Sequence, residues 1–191
     1  MIATNTKRWA STKAGAPPPT SSRPSPNASN FINPPPTLSR PQPHPPLARV
    51  STYLNFPRCT EEAFSFYRSV FKNEFYCAIA RFKDIPPSPD HPPMSDADAN
   101  LVLHVELPIL GGHVLMGTDA PESFGLSVTP GNNVHINLEP DTRAEADQLF
   151  AALTPGGKVE MPLQEMFWGA YFGSFTDRFG IHWMINCAAK A

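Results

Sequence analysis

Between residues 50 and 188 the apolar positions follow two periods, two and about 3.6 residues, and the order in which these change occurs twice. In "VSTYLNF" (50–56), Thr52, Leu54 and Phe56 fall on one side of a strand and Ser51, Tyr53 and Asn55 on the other. "TEEAFSFYRSVF" (60–71) then sets Ala63, Phe64, Phe66, Tyr67, Val70 and Phe71 on one face of a helix. Thr60 is its candidate N-cap, and Glu61 and Glu62 suit its first turn. "EFYCAIARF" (74–82) reads as a strand, "DIPPSPDHPPMSDADAN" (84–100) as a long loop, and "LVLHVELPI" with "HVLMGTD" as a hairpin.

The pattern then restarts. "NVHINLE" (133–139) is a strand, and "DTRAEADQLFAALT" (141–154) is a helix capped by Asp141 or Thr142 and ended by "PGG". "KVEMPLQEMFWG" (158–169) is extended, and "AYFGSFTDRFGIHWMINC" (170–187) closes the chain with a second hairpin. Strand, helix and three strands, twice over, make an internal repeat of roughly 60 to 70 residues. The class this predicts is α+β: two βαβββ modules forming curved mixed sheets around a cavity.

The hairpins fix the expected register. A three-residue loop whose last residue is left-handed favours glycine there. Leu110-Gly111-Gly112 and Arg178-Phe179-Gly180 both fit, which pairs Glu106 with Met116 and Ser174 with Met184. In the first hairpin one face carries His104, Glu106, Val114, Met116 and Thr118, and the other Leu103, Val105, Leu107 and Leu115. In the second, one face carries Phe172, Ser174, Thr176, His182 and Met184, and the other Tyr171, Phe175, Ile181, Trp183 and Ile185. The apolar faces await the helices. The mixed faces have the character of a binding cavity.

Composition changes the picture mainly at the N-terminus. Residues 1–49 hold half of the 24 prolines, with Lys7, Arg8, Lys13, Arg23, Arg40 and Arg49 and no acidic residue. Such a segment buries too little apolar surface to offset the entropy of ordering it, so it reads as a disordered basic tail preceding a domain at 50–188. Its modules span 50–120 and 131–188. An acid-free Ser/Thr-rich leader also fits mitochondrial targeting, although its prolines oppose an amphipathic helix; cytoplasmic location is the first expectation. The net charge of −2 argues against a nucleic-acid partner, and no apolar run reaches the roughly 18 residues of a membrane span. Cys59, Cys77 and Cys187 form no metal or disulfide pattern.

The phrases "YLNF", "EEAFSFYRSVF", "RFKDIPP", "VLMGTDAPESFG", "GNNVHI" and "GGKVEMPLQEMFWGAYFGSFTDRFGIHWM" resemble, in order, the PhnB-like family of the vicinal oxygen chelate superfamily, which includes glyoxalase I, extradiol dioxygenases and bleomycin-resistance proteins. Members of that family have been labelled 3-demethylubiquinone methyltransferase-like. No Gly-rich loop follows a strand here to cradle a nucleotide-like cofactor, so the residues lend that activity no support.

The resemblance implies where a metal would sit. The superfamily's metal enzymes take a His from the first strand of each module and a Glu four residues after each hairpin glycine. Here the Glu positions hold Met116 and Met184, and the His positions are matched to Tyr53 and His135. Thioethers are poor ligands for hard or borderline cations, so neither the family's metal site nor any other cofactor is expected. An open triad of Glu106 with two of His104, His135 and His182 stays as the alternative.

The remaining candidates carry two readings each. Glu106 and His104, two apart on one strand, are a catalytic acid/base pair or a mutually satisfied polar pair. Tyr53, Phe172, Phe167 and Trp168 are an aromatic wall for a flat ligand or core. Asn55 and Asn137, taken as equivalent in the two first strands, orient a ligand or pair with each other. Ligand contacts are expected from Tyr53, Asn55, Met116, His135, Asn137, Phe172, Ser174, His182 and Met184. Asp119, Glu122, Asp96 and Asp98 read as solvated surface. The resulting expectation is a metal-free small-molecule-binding homodimer. The alternative is a lyase, isomerase or dioxygenase of the glyoxalase kind with a reorganised metal or acid/base site.

Overall fold

The computed structural model describes residues 48–86, 88 and 94–188. The expected tail, apart from its last two residues, and the middle of the long loop lie outside the described residues. The first module runs β1 (Ser51–Phe56), α1 (Thr60–Phe71), β2 (Ala80–Arg81), α2 (Asp96–Ala99), β3 (Val102–Pro108) and β4 (Val114–Asp119). The second runs β5 (Ile136–Leu138), α3 (Arg143–Leu153), β6 (Lys158–Glu165), β7 (Ala170–Thr176) and β8 (His182–Ala188). The two four-stranded sheets have the same order, β1-β4-β3-β2 and β5-β8-β7-β6. In each, the first strand lies parallel to the last and the other pairs are antiparallel. The expected α+β duplication is therefore present.

The hairpin register is the expected one: Glu106 faces Met116 and Ser174 faces Met184. Both loops close on a left-handed glycine, Gly112 at φ 76° and Gly180 at φ 83°. The amide of Ile109 donates to the His113 carbonyl at 2.7 Å, and that of Asp177 to the Ile181 carbonyl at 2.9 Å.

The apolar faces of both sheets meet the helices in one shared core. Phe56, Phe64, Tyr67, Leu107 and Leu115 of the first module join Leu138, Leu153, Phe175, Trp183 and Ile185 of the second. Close approach of α1 to its sheet needs Gly117, where a Cβ would stand 2.3 Å from the Phe64 ring. With the core on one side of each sheet, the mixed faces look outward.

Several local expectations are corrected. The strand expected over 74–82 shrinks to Ala80–Arg81. Its earlier part is held by isolated bonds, such as the Tyr76 amide donating to the Glu106 carbonyl at 3.1 Å. Thr60 is the first residue of α1 rather than its cap. It is buried, and both its amide and its hydroxyl donate to Asp119 Oδ1 at 3.0 and 2.8 Å. Asp119 Oδ2 accepts from the Val102 amide at 2.8 Å, so a residue expected in solvent is only 2% exposed and starts the helix from β4. Asp98, also expected in solvent, is buried against Arg58 at 2.6 Å. Asp96 and Glu122 are exposed as expected. For α3, Thr142 is the cap: its hydroxyl accepts from the Glu145 amide at 3.2 Å, and Glu145 accepts from the Asp141 amide at 3.1 Å.

Candidate functional site

On the first sheet, Tyr53, Met116 and Glu106 form one row across β1, β4 and β3. Asn55 and Thr118 are paired in the adjacent register position. Tyr53 stacks on His104 with ring centroids 5.8 Å apart. Its hydroxyl lies 3.3 Å from His104 Nδ1, and His104 Nε2 lies 3.1 Å from Glu106 Oε1. With Nε2–H donating to the carboxylate, Nδ1 accepts the phenolic proton. Arg49 donates to the other oxygen of Glu106 at 3.0 Å. The four side chains form a continuous polar chain on an open sheet face.

Its electrostatics follow from those contacts. Burial acts to raise the Glu106 carboxyl, but the hydrogen bonds and charges of His104 and Arg49 outweigh it and hold the group below the usual carboxylate range. Burial raises the Tyr53 hydroxyl, with a hydrogen bond from Thr118 opposing. Glu106 is thus a fixed anion, better suited to orient His104 and attract a donor than to store a proton.

On the second sheet, Asn137, Met184 and Ser174 form the matching row across β5, β8 and β7. Phe172 sits two residues along β7 from Ser174. From it an aromatic run continues through Trp168 to Phe167, with centroid separations of 6.0 and 4.8 Å. Phe167 is 96% exposed and Trp168 52%, so these two are surface and not core. His135 and His182 stand edge to face with centroids 5.1 Å apart.

The register also corrects two equivalences. Tyr53 lies beside Met116 as Asn137 lies beside Met184. The counterpart of Tyr53 is therefore Asn137 and not His135. Asn55, two places further along β1, has no register match in Asn137. His135 corresponds to Ser51, so the superfamily's ligand pattern fails in the first module under either alignment. With methionines at both Glu positions, the residues present do not fit that four-ligand site.

The predicted site residues therefore gather into two groups, one per sheet. A cleft of about 410 Å³ lined by Tyr53, Asn55, Phe179 and His182 runs between β1 and the second module, so members of both groups share it.

Sequence reasoning missed Glu160. Val159 pairs with Phe175 and Met161 with Ser174, leaving Glu160 as an extra residue in β6. A bulge of this kind breaks the alternation and re-aims a side chain. Glu160 Oε1 accepts from Thr176 Oγ1 at 2.8 Å and lies 3.5 Å from His182 Nδ1, while Oε2 lies 3.9 Å from His135 Nε2. The only signal in the sequence was Pro162 within an otherwise extended segment, which marks a disturbed ladder without locating it.

Among the described residues no helix is long and apolar enough to cross a membrane. The three cysteines are unpaired.

Comparison with known proteins places this geometry. YjdN of Escherichia coli is 30% identical over 142 residues, 72% of this chain and 93% of that protein. A protein of Pseudomonas aeruginosa of known structure is 35% identical, with a TM-score of 0.63 over 75% of this chain and all of that one. The PhnB protein of Bacillus cereus is 26% identical, with a TM-score of 0.52 over 74% of this chain and all of that one. The model of the family described as 3-demethylubiquinone-9 3-methyltransferase matches residues 48–186. With two βαβββ modules in place of a doubly wound parallel sheet, the chain belongs to that family as a PhnB-like member of the vicinal oxygen chelate superfamily.

Proposed function

We propose that this protein binds a small molecule against the mixed faces of its two sheets, without the superfamily's four-ligand metal site. The observation that carries the reading is the row of residues at the centre of each face. Tyr53, Met116 and Glu106 on one sheet and Asn137, Met184 and Ser174 on the other offer thioether, phenol, carboxylate, amide and hydroxyl groups. Such surfaces suit a flat, partly apolar molecule with polar edges, and the one carboxylate among these residues, Glu106, is already engaged by His104 and Arg49. The run from Phe172 to Phe167 extends the stacking surface beyond the sheet.

Both faces open outward, and Phe167 and Trp168 present apolar surface to solvent. Assembly as a homodimer, in which a second copy covers a face, accounts for both features. Native mass spectrometry of protein purified without chelators tests the binding reading through co-purifying small molecules, and light scattering tests the assembly. A ligand lost in Tyr53→Ala or Met184→Ala supports the site. A ligand retained in both would remove it, and a monomer at micromolar concentration would remove the dimer.

The chain from Tyr53 through His104 and Glu106 to Arg49 favours a second reading, acid/base catalysis of the lyase, isomerase or dioxygenase kind. Once a bound molecule is identified, Glu106→Gln separates the two. Under catalysis the variant binds but no longer converts it. Under simple binding only the affinity changes.

A further inference from the structure

We propose that His135, Glu160 and His182 form a binding site for one divalent transition-metal ion on the second sheet, in which His135 keeps the position matched to the superfamily's His and the other two donors come from positions the superfamily does not use. One donor atom from each of the three lies within 4.8 Å of the others. The carboxylate faces both rings: Glu160 Oε1 lies 3.5 Å from His182 Nδ1, and Oε2 lies 3.9 Å from His135 Nε2. Bonds of 2.0 to 2.1 Å in a tetrahedral arrangement put neighbouring donors about 3.3 Å apart, so side-chain adjustments of up to roughly 1.5 Å close the set. The side chains are between 18% and 31% exposed, which leaves an ion reachable from solvent.

Three features distinguish the cluster from an ordinary surface ion pair. The donor set, two imidazoles and one carboxylate, is the set that binds borderline cations such as Zn²⁺, Co²⁺ and Fe²⁺ while leaving coordination positions open. Glu160 stands at a β-bulge, between the Val159–Phe175 and Met161–Ser174 pairs, and its carboxylate reaches groups on three separate segments, Thr176, His182 and His135. Thr176 sits between the ligands. Its hydroxyl donates to Glu160 Oε1 at 2.8 Å and lies 3.0 Å from His182 Nδ1. Donation to the carboxylate holds Glu160 from outside the ligand set, as outer-shell partners do, and leaves His182 free to carry its ring proton on Nε2 when an ion takes Nδ1.

The neighbouring row is Asn137, Met184 and Ser174, so an ion here would border the proposed small-molecule face, with open positions for water or an anionic oxygen of a ligand. The site stands whether or not that face takes a small molecule. Met184 occupies the position of the superfamily's carboxylate; in this chain the carboxylate comes from β6 and the second imidazole from β8.

The test uses full-length protein stripped with chelator and titrated with Zn²⁺ by calorimetry and with Co²⁺ by visible absorption. The expected result is one ion per chain at micromolar or tighter affinity, with Co²⁺ bands of low-coordinate intensity. Glu160→Gln, which keeps the side-chain volume, should weaken binding by more than the ~10–100-fold that loss of an outer-shell partner costs, and Thr176→Val should weaken it within that range. His135→Ala and His182→Ala should each abolish stoichiometric binding, whereas His113→Gln, just before β4 and bonded to Thr52, should leave it at one per chain. Circular dichroism and thermal unfolding confirm that each variant is folded. Absence of saturable binding by the stripped wild-type protein overturns the proposal, as does binding unchanged in folded Glu160→Gln.

Discussion

The hydroxyl of Tyr67 in α1 donates at 2.7 Å to the carboxylate of Asp177, 110 residues further along the chain. The same Oδ2 accepts from the Trp183 indole at 2.8 Å, and Oδ1 accepts from the Phe179 and Ile181 amides at 2.8 and 3.0 Å. One buried carboxylate therefore closes the hairpin of the second module and ties it to the helix of the first. Its demand on Tyr67 is visible in the phenol itself, which burial and then the charge of Asp177 push well above the usual tyrosine range.

Tyr67→Phe removes one bond to a charged acceptor and is expected to cost about 1.5–3 kcal/mol. Asp177→Ala strands four donors and is expected to cost more, above ~3 kcal/mol. At the ~2–8 °C per kcal/mol typical of domains in this size range, both shifts are readable by thermal unfolding. Equal stability of Asp177→Ala and wild type would show that the carboxylate joins nothing.

Asp119 plays a related part in the first module, because it accepts both donors of Thr60 and the amide of Val102. Asp119→Ala should expose the first turn of α1 to fraying. Native-state hydrogen exchange at the amides of 60–63 should rise well above that in the middle of α1. Exchange that speeds up uniformly along the helix would point to global destabilisation in place of a lost cap.

Gly117→Ala forces a methyl into the Phe64 ring, 2.3 Å from its nearest atom. Overpacking of this sort costs about 1–3 kcal/mol. Adding Phe64→Leu to Gly117→Ala should recover part of that loss, which a double-mutant cycle of unfolding free energies measures. Simple additivity of the two changes would mean that the glycine answers to something other than the ring.

Acid should loosen the fold in a defined window. Glu106 is held low despite its burial by His104 and Arg49, Asp98 by hydrogen bonds from Arg58, Ser123 and Ser95, and Glu61 by Arg81. A carboxyl depressed in the folded state contributes stability that is fully present above its unfolded value and lost as pH falls through its folded value. The melting temperature should therefore hold down to about pH 4.5 and decline below it. Arg49→Met should reduce the part of that decline that belongs to Glu106. A melting temperature flat from pH 5 to pH 3 would contradict the assignment.

The parts of the fold legible in sequence were those written in unbroken periods. Phe64 and Tyr67 at helical spacing, and Val105, Leu107, Phe175 and Trp183 at strand spacing, lie in the core where their periods put them. Gly112 and Gly180 set the register because a left-handed loop end is a local requirement. What escaped were residues whose role depends on a distant partner. Asp119 and Asp177 look like surface acids until strands and helices arrive around them. His135 and Tyr53 were matched by phrase, whereas the parallel pairings of β1 with β4 and β5 with β8 align Tyr53 with Asn137. Glu160 escaped because "KVEMPLQEMFWG" reads only as extended, and its partners Thr176, His182 and His135 come together with it only once β6 pairs with β7.

The common core has a consequence for how the chain can be divided. Each module's apolar face is covered partly by its own helix and partly by the other module, so the halves of the repeat are mutually dependent pieces of one solvent-excluding body. The connection between them is exposed over Leu126–Ser127 and Thr129–Val134, and cutting it there severs no strand or helix. Two polypeptides, residues 48–127 and 128–188, should fail to fold singly and reassemble when co-expressed, making the protein a candidate for fragment complementation. A soluble, cooperatively unfolding half on its own would show that the two faces can be satisfied separately.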